Sequence, residues 1–158
     1  MFETDISMIH TPEWGENSRE MLDVITRALV CRVAIADSTG APYVVPLCFG
    51  YSGQNFFFHG KSTGRKIDLL EKNPMVGFQI DADARVVSYP DITRWTMAYK
   101  SVIGTGKAVF IDDFEEKAAG LQYIVEHYAH TRYSIPRRSI EKTTVFRIEI
   151  KEITYKAA

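Results

Sequence analysis

The stretch HGKSTGRK, residues 59–66, gathers more binding chemistry than any other eight residues of the chain. Arg65 and Lys66 supply two cations, Ser62 and Thr63 two hydroxyls, and the apolar spacing that follows predicts a helix whose first N–H groups open onto the loop. A guanidinium can fork onto two oxygens, while an ammonium acts as a mobile point charge. Gly60 and Gly64 let the backbone come close to a ligand. Together these make a cradle for a phosphate at a helix start. The pattern is not GxxxxGK[ST], so a nucleoside triphosphate P-loop is excluded, and no GxGxxG supports a dinucleotide fold. The competing reading makes Arg65 and Lys66 solvated charges at the end of a helix where the dipole disfavours cations. That penalty favours a bound anion.

His59 closes the apolar run FFFH just before the loop. It is either a half-buried imidazole bonded to backbone or a group beside the phosphate carrier, as an orienting donor or near the reacting centre. His10, His127 and His130 are too dispersed to argue for metal, and EHYAH is not HExxH. The His127/His130 pair reads as the polar surface of a helix. Cys48, with no base in view, reads as a small buried residue. The tyrosines and Trp95 read as core or rim, because no basic stripe interleaves them.

Short elements must position these groups. NSREMLDVITRAL predicts a helix with Asn17 and Glu20 at capping-box spacing. CRVAIAD, APYVVPLCFGY, FFFH, MVGFQI, MAYKSVIGTGKAVFI and TTVFRIEIKEIT predict six strands. Pro42 and Pro46 in the second of these suggest an edge or bulge, and Gly104 with Gly106 a bulge or close approach. Ser62 or Thr63 is placed to cap the helix GRKIDLLEK, which Asn73-Pro74 stops. DADARVVSYPDITRW reads as a strand fragment and a loop, and Asp112 with Glu115 opens a third helix carrying Phe114, Ala118, Leu121, Val125 and Tyr128 on one side. Sequential antiparallel strands with glycine bends favour a closed or nearly closed barrel.

The whole chain sets the bounds. Its 158 residues fit one domain, 1–158, with residues 1–16 as an N-terminal extension. At 46% hydrophobic, 25% charged and net charge −1, nothing draws it to nucleic acid or an anionic membrane. Two cysteines, no apolar run long enough to span a bilayer and no signal core make the cytoplasm the expected location.

In their order and spacing, GAPYVVPLCFGY, FFFHGKSTGRKIDLLEKNPMVGF, YKSVIGTGKAVFIDDFEEK and EKTTVFRIEI resemble the FMN-binding split-barrel superfamily. These are the pyridoxamine 5'-phosphate oxidase-like proteins, and the likeness is to their nitroimidazole-resistance (Nim-like) branch, from about Asn17 to Thr154. The resemblance implies a mainly β fold with short helices, a six-stranded antiparallel split β-barrel, and a homodimer with FMN in the clefts between subunits. It implies that Val44–Phe49 runs past the flavin ring, with backbone contacts from Val45, Pro46, Leu47 and Cys48. Phe58, His59 and Gly60 would approach the ribityl and phosphate region, and Arg65 and Lys66, in the loop with Ser62, Thr63 and Gly64, would hold the 5'-phosphate. Lys100 and Ser101 match polar contacts from the other side of the cleft. His59 matches the histidine placed near flavin and substrate, and so is the catalytic candidate.

The implied activity is an FMN-dependent oxidoreductase reducing a small organic or nitroaromatic acceptor, with NAD(P)H as a transient donor. The alternatives are a split barrel that carries flavin or haem without dedicated turnover, and a cofactor-free structural or DNA-associated domain, which the balanced charge disfavours. RIEIKEITYKAA lacks the arginine–histidine element of the pyridoxine-phosphate enzymes, which argues against that substrate, and Tyr155 precedes Lys156 where Nim-like relatives often carry glycine–lysine.

Overall fold

The computed structural model describes residues 14–158; His10 and most of the expected N-terminal extension lie outside them. Seven antiparallel strands form one sheet: β1 (Cys31–Ala36), β2 (Pro42–Leu47), β3 (Gly50–Tyr51), β4 (Asn55–Gly60), β5 (Met75–Val87), β6 (Thr96–Ile111) and β7 (Thr144–Ala157). Four α-helices accompany them: α1 (Ser18–Arg27), α2 (Arg65–Lys72), α3 (Phe114–Ala129) and α4 (Arg137–Lys142).

The strand order is β2-β1-β5-β6-β7-β4-β3, so β2 and β3 occupy opposite edges although only Cys48 and Phe49 separate them in the chain. The three Cα–Cα steps from Leu47 to Gly50 span at most about 11 Å, so the sheet must curl until its edges nearly meet. The expected six-stranded barrel is corrected in two respects. The strand expected over 41–51 is broken at Cys48–Phe49, which raises the count to seven, and backbone pairing does not close the sheet. The seam is crossed by the chain itself.

Alternation explains the run FFF. Phe56 and Phe58 face the main core with Phe49, Phe78, Phe146 and Ile148, while Phe57 faces a second cluster with Leu121, Ile124, Ile140 and Val145 under α3 and α4. A strand buried on both faces reads as unbroken apolar sequence. α1 plugs the main core with Met21, Val24 and Ile25.

β5 runs on past Ile80 to Val87, and its register against β6 shifts between Ala82 and Arg85, where Asp83 has φ 60°. Gly104 and Gly106 answer to close approach: a Cβ at Gly104 would strike the Glu152 carbonyl and the Phe78 ring, and one at Gly106 would lie 2.5 Å from the Glu149 carbonyl oxygen. β6 also shifts register against β7 between these two glycines. Among the described residues no helix is long and apolar enough to cross a membrane.

Candidate functional site

β4 delivers His59 and Gly60 to the loop, held opposite Val145 and Thr144 of β7. His59 is exposed, and no hydrogen-bond partner stands against it among the described residues. Neither Ser62 nor Thr63 caps α2, contrary to the expectation. The N-cap is Gly64, at φ 126° and ψ 167°, a backbone region essentially closed to side-chain-bearing residues. No side chain bonds the first turn, so the N–H groups of a two-turn helix stay open to an incoming acceptor.

Arg65 and Lys66 flank that opening, and neither makes an ion pair among the described residues, although the Asp37 pKa, lowered chiefly by the Thr39 hydrogen bond, has Arg65 nearby as a minor further cause. Arg65 lies over the Tyr43 ring, its guanidinium carbon 4.5 Å from the centroid. Lys66 is half-buried, its Nζ 3.4 Å from where a Cβ on Gly60 would stand. Burial pushes the Lys66 ammonium below its ordinary pKa of 10.5. A half-buried cation with no carboxylate against it is a poor structural device and a good anion receptor. These residues fit a phosphate group.

The Arg65–Tyr43 contact joins the loop to β2, so two regions far apart in sequence become one strip. β2 is an edge strand paired only with β1, which leaves half its backbone groups free. Pro42 and Pro46 are tolerated there because an edge forgives a missing N–H. Tyr43, Val45 and Leu47 are half-buried, while Val44, Pro46 and Cys48 point outward. Cys48 is thus exposed, against the expectation that it is buried, because it follows inward-facing Leu47 on an alternating strand. From Tyr43 to Leu47 the strip offers about 13 Å of strand. Phe58 is fully buried in the main core, so its side chain supports the site from beneath.

Lys100 and Ser101 are not brought to this strip. As neighbours on β6 they face opposite sides of the sheet. Lys100 lies 3.7 Å from Asp83 and 3.9 Å from Asp23, in a network completed by Arg27, whose guanidinium meets Asp23 and Asp83 at 2.8 Å. Hydrogen bonds from Arg27 hold both carboxyls below their ordinary pKa. Ser101 is buried, opposite Asp81 and Lys156.

Sequence reasoning missed Tyr43, His127 and Tyr128. His127, expected at the polar surface, is half-buried, with Nε2 2.6 Å from the Ala28 carbonyl oxygen and its ring centroid 4.3 Å from that of Phe49. The Tyr128 hydroxyl donates to the Leu29 carbonyl at 2.8 Å and accepts from the Phe49 N–H at 3.0 Å. Helical spacing put Tyr128 on the packed side of α3; the partners, 79 and 99 residues away, left no local signal. A separate concavity of about 540 Å³, between α3 and residues 132–140, shares no residue with the loop.

A profile described as pyridoxamine 5'-phosphate oxidase matches residues 17–157. No curated protein matches the sequence significantly. Among solved structures, a candidate 5-nitroimidazole antibiotic resistance protein from Bacteroides thetaiotaomicron superposes with TM-score 0.80 at 29% identity, over 90% of this chain and 85% of that one. The FAD- and haem-binding protein of Mycobacterium smegmatis gives 0.75 at 21%, over 90% and 72%. The flavocytochrome of Azotobacter vinelandii gives 0.74 at 21%, over 98% and 75%.

Proposed function

We propose that this chain, which belongs to the pyridoxamine 5'-phosphate oxidase family, is an FMN-dependent oxidoreductase that works as a homodimer and passes electrons to a small organic acceptor, such as a nitroaromatic. The observation that carries the reading is the pair of cations at the start of α2, neither in an ion pair among the described residues and one of them half-buried over Gly60. Arg65 forks onto the phosphate oxygens, Lys66 neutralises the remaining charge, and the open N–H groups of α2 complete the cradle. The free edge of β2 meets the ring through its backbone, with Pro46 marking a place where no N–H is offered.

Bound there, the isoalloxazine supplies the redox chemistry. His59, exposed beside the cradle, orients the acceptor and gives it a proton as negative charge develops. NAD(P)H serves as a transient donor through an open cleft. The relative from Bacteroides thetaiotaomicron, described for 5-nitroimidazole resistance, supports the choice of acceptor.

One face of the sheet supports the proposed second protomer. Val44, Ala34, Gly77 and Thr105 make a row across β2, β1, β5 and β6, with Gln79 and Ile103 in the next. Val44 is 58% exposed and Ile103 51%. Small side chains on an exposed, partly apolar sheet face suit packing against a second copy.

The test is flavin retention. Purified protein mixed with FMN and passed through gel filtration is expected to keep about one flavin per subunit, and Lys66→Ala to weaken FMN by about 10- to 100-fold, the worth of a charge-assisted contact. Titration of the variant with unchanged affinity would sink the phosphate assignment. His59, exposed and without a hydrogen-bond partner among the described residues, also offers its imidazole to a haem iron, which supports a second reading as a haem carrier. An intense haem band in place of the paired flavin bands would select it.

A further inference from the structure

The seam at Cys48–Phe49 is where the two edges of the sheet come together, and the last turn of α3 sits on it. Phe49 lies between β2 and β3, so its N–H has no ladder partner, yet the residue is fully buried. An unpaired amide there would be expensive. The Tyr128 hydroxyl accepts that N–H while donating to Leu29, and His127 reaches Ala28 while its ring packs on Phe49. Two consecutive residues of one helix therefore tie the α1–β1 connection to the seam.

This end of β2 is opposite in direction to the phosphate end. Arg65 stands over Tyr43, near the start of the strand, and a ligand anchored there and lying along the free edge reaches Leu47 and Cys48. Tyr128 is 37% exposed at this point, so its hydroxyl borders the strip. Burial, with the neighbouring Cys48 as a lesser cause, pushes that hydroxyl up to about 12, so it stays protonated and keeps donating.

We infer that His127 and Tyr128 are positioning residues for the flavin ring: they fix Leu47–Phe49, the ring end of the strip, as Arg65 and Lys66 fix the phosphate end. The inference rests on the proposed flavin site, and assigns to α3 a part in it that touches no flavin atom.

Tyr128→Phe tests it, because the ring stays while the one hydroxyl that serves Phe49 and Leu29 goes. Affinities for FMN and for riboflavin, which lacks the phosphate, are measured well below the melting temperature. The expected result is an equal loss for both ligands, about five- to tenfold, part of the worth of the two hydrogen bonds that the hydroxyl makes, with a displaced visible flavin band. Lys66→Ala is expected to weaken FMN and leave riboflavin unchanged. In flavin-free protein, Tyr128→Phe is also expected to speed amide exchange at Phe49 and Gly50 and leave residues 59–66 as they were. A lower melting temperature with wild-type affinities and spectrum would make Tyr128 merely structural and overturn the inference. Wild-type protein that retains no flavin would end the flavin reading first, and the positioning role with it, even where exchange showed the seam loosened.

Discussion

Lys66 and His127 are both nitrogen bases whose charged form the fold disfavours by burial, and they meet the conflict differently. Lys66 keeps its charge near an open helix end, where an anion can relieve it. His127 stays neutral, with its Nε2–H on Ala28 and its ring on Phe49. Burial first, and repulsion from His130 to a lesser extent, lower its pKa from 6.5 against the raising effect of Ala28. The unfolded chain therefore takes up a proton near 6.5 that the folded chain resists. The stabilisation is complete above that pH and is lost as pH falls through the depressed value. Urea unfolding of wild type is expected to show a loss of stability from pH 7.5 to 5.0 that His127→Gln reduces; identical slopes would remove His127 from the balance. Little of this was legible beforehand. In sequence, His127 and His130 are two polar residues on a helix, and the contact with Phe49, brought in at the break between β2 and β3, left no local signal. Arg65, Lys66 and Gly60 were legible because loop, charge and helix start are contiguous.

At the scale of elements, α3 against β3 shows how narrowly a helix can be seated. A Cβ on Gly50 would lie 2.5 Å from the Ile124 amide nitrogen and closer still to the Tyr123 carbonyl carbon, and both atoms are helix backbone that cannot swing aside. Gly50→Ala is expected to destabilise by about 1–3 kcal/mol or more, as overpacking does, measured by urea midpoint. A change within error would show that α3 rides freely over the seam. The main helices and most strands could be read from periodicity, as could the glycine constriction in β6. The break at Cys48–Phe49 could not, because CFGY continues an apolar run and only the curl of the sheet interrupts it. α4 was missed for lack of pattern: RRSIEK carries a single apolar residue, Ile140, which its neighbours bury. The cap of α2 was misread because Ser62 and Thr63 have the right chemistry while Gly64 alone has the backbone freedom.

For the whole molecule, the outer sheet face and the flavin strip make a joint prediction. Ile103→Lys, which places a charge in the proposed contact, is expected to shift sedimentation from dimer to monomer and to abolish flavin retention together. A monomer that keeps FMN at wild-type affinity would mean one protomer suffices. The overall class was legible from strand spacing and order, whereas the face proposed for a second protomer was not, because a row such as Val44–Ala34–Gly77–Thr105 exists only once register is set. That same register also sets a timetable. β4 is emplaced against β7, with Asn55 opposite Glu149, so an aromatic strand made early has no partner on that side until almost the last residues arrive. Its only other neighbour is the two-residue β3. During synthesis the run FFF must wait, unpaired and sticky on that side, until Thr144 and the rest of β7 emerge, and a chain cut short before Thr144 would lack that partner. Refolding from urea is accordingly expected in the millisecond-to-second range of high-contact-order β proteins, with protection of the β4 amides appearing only in that final phase.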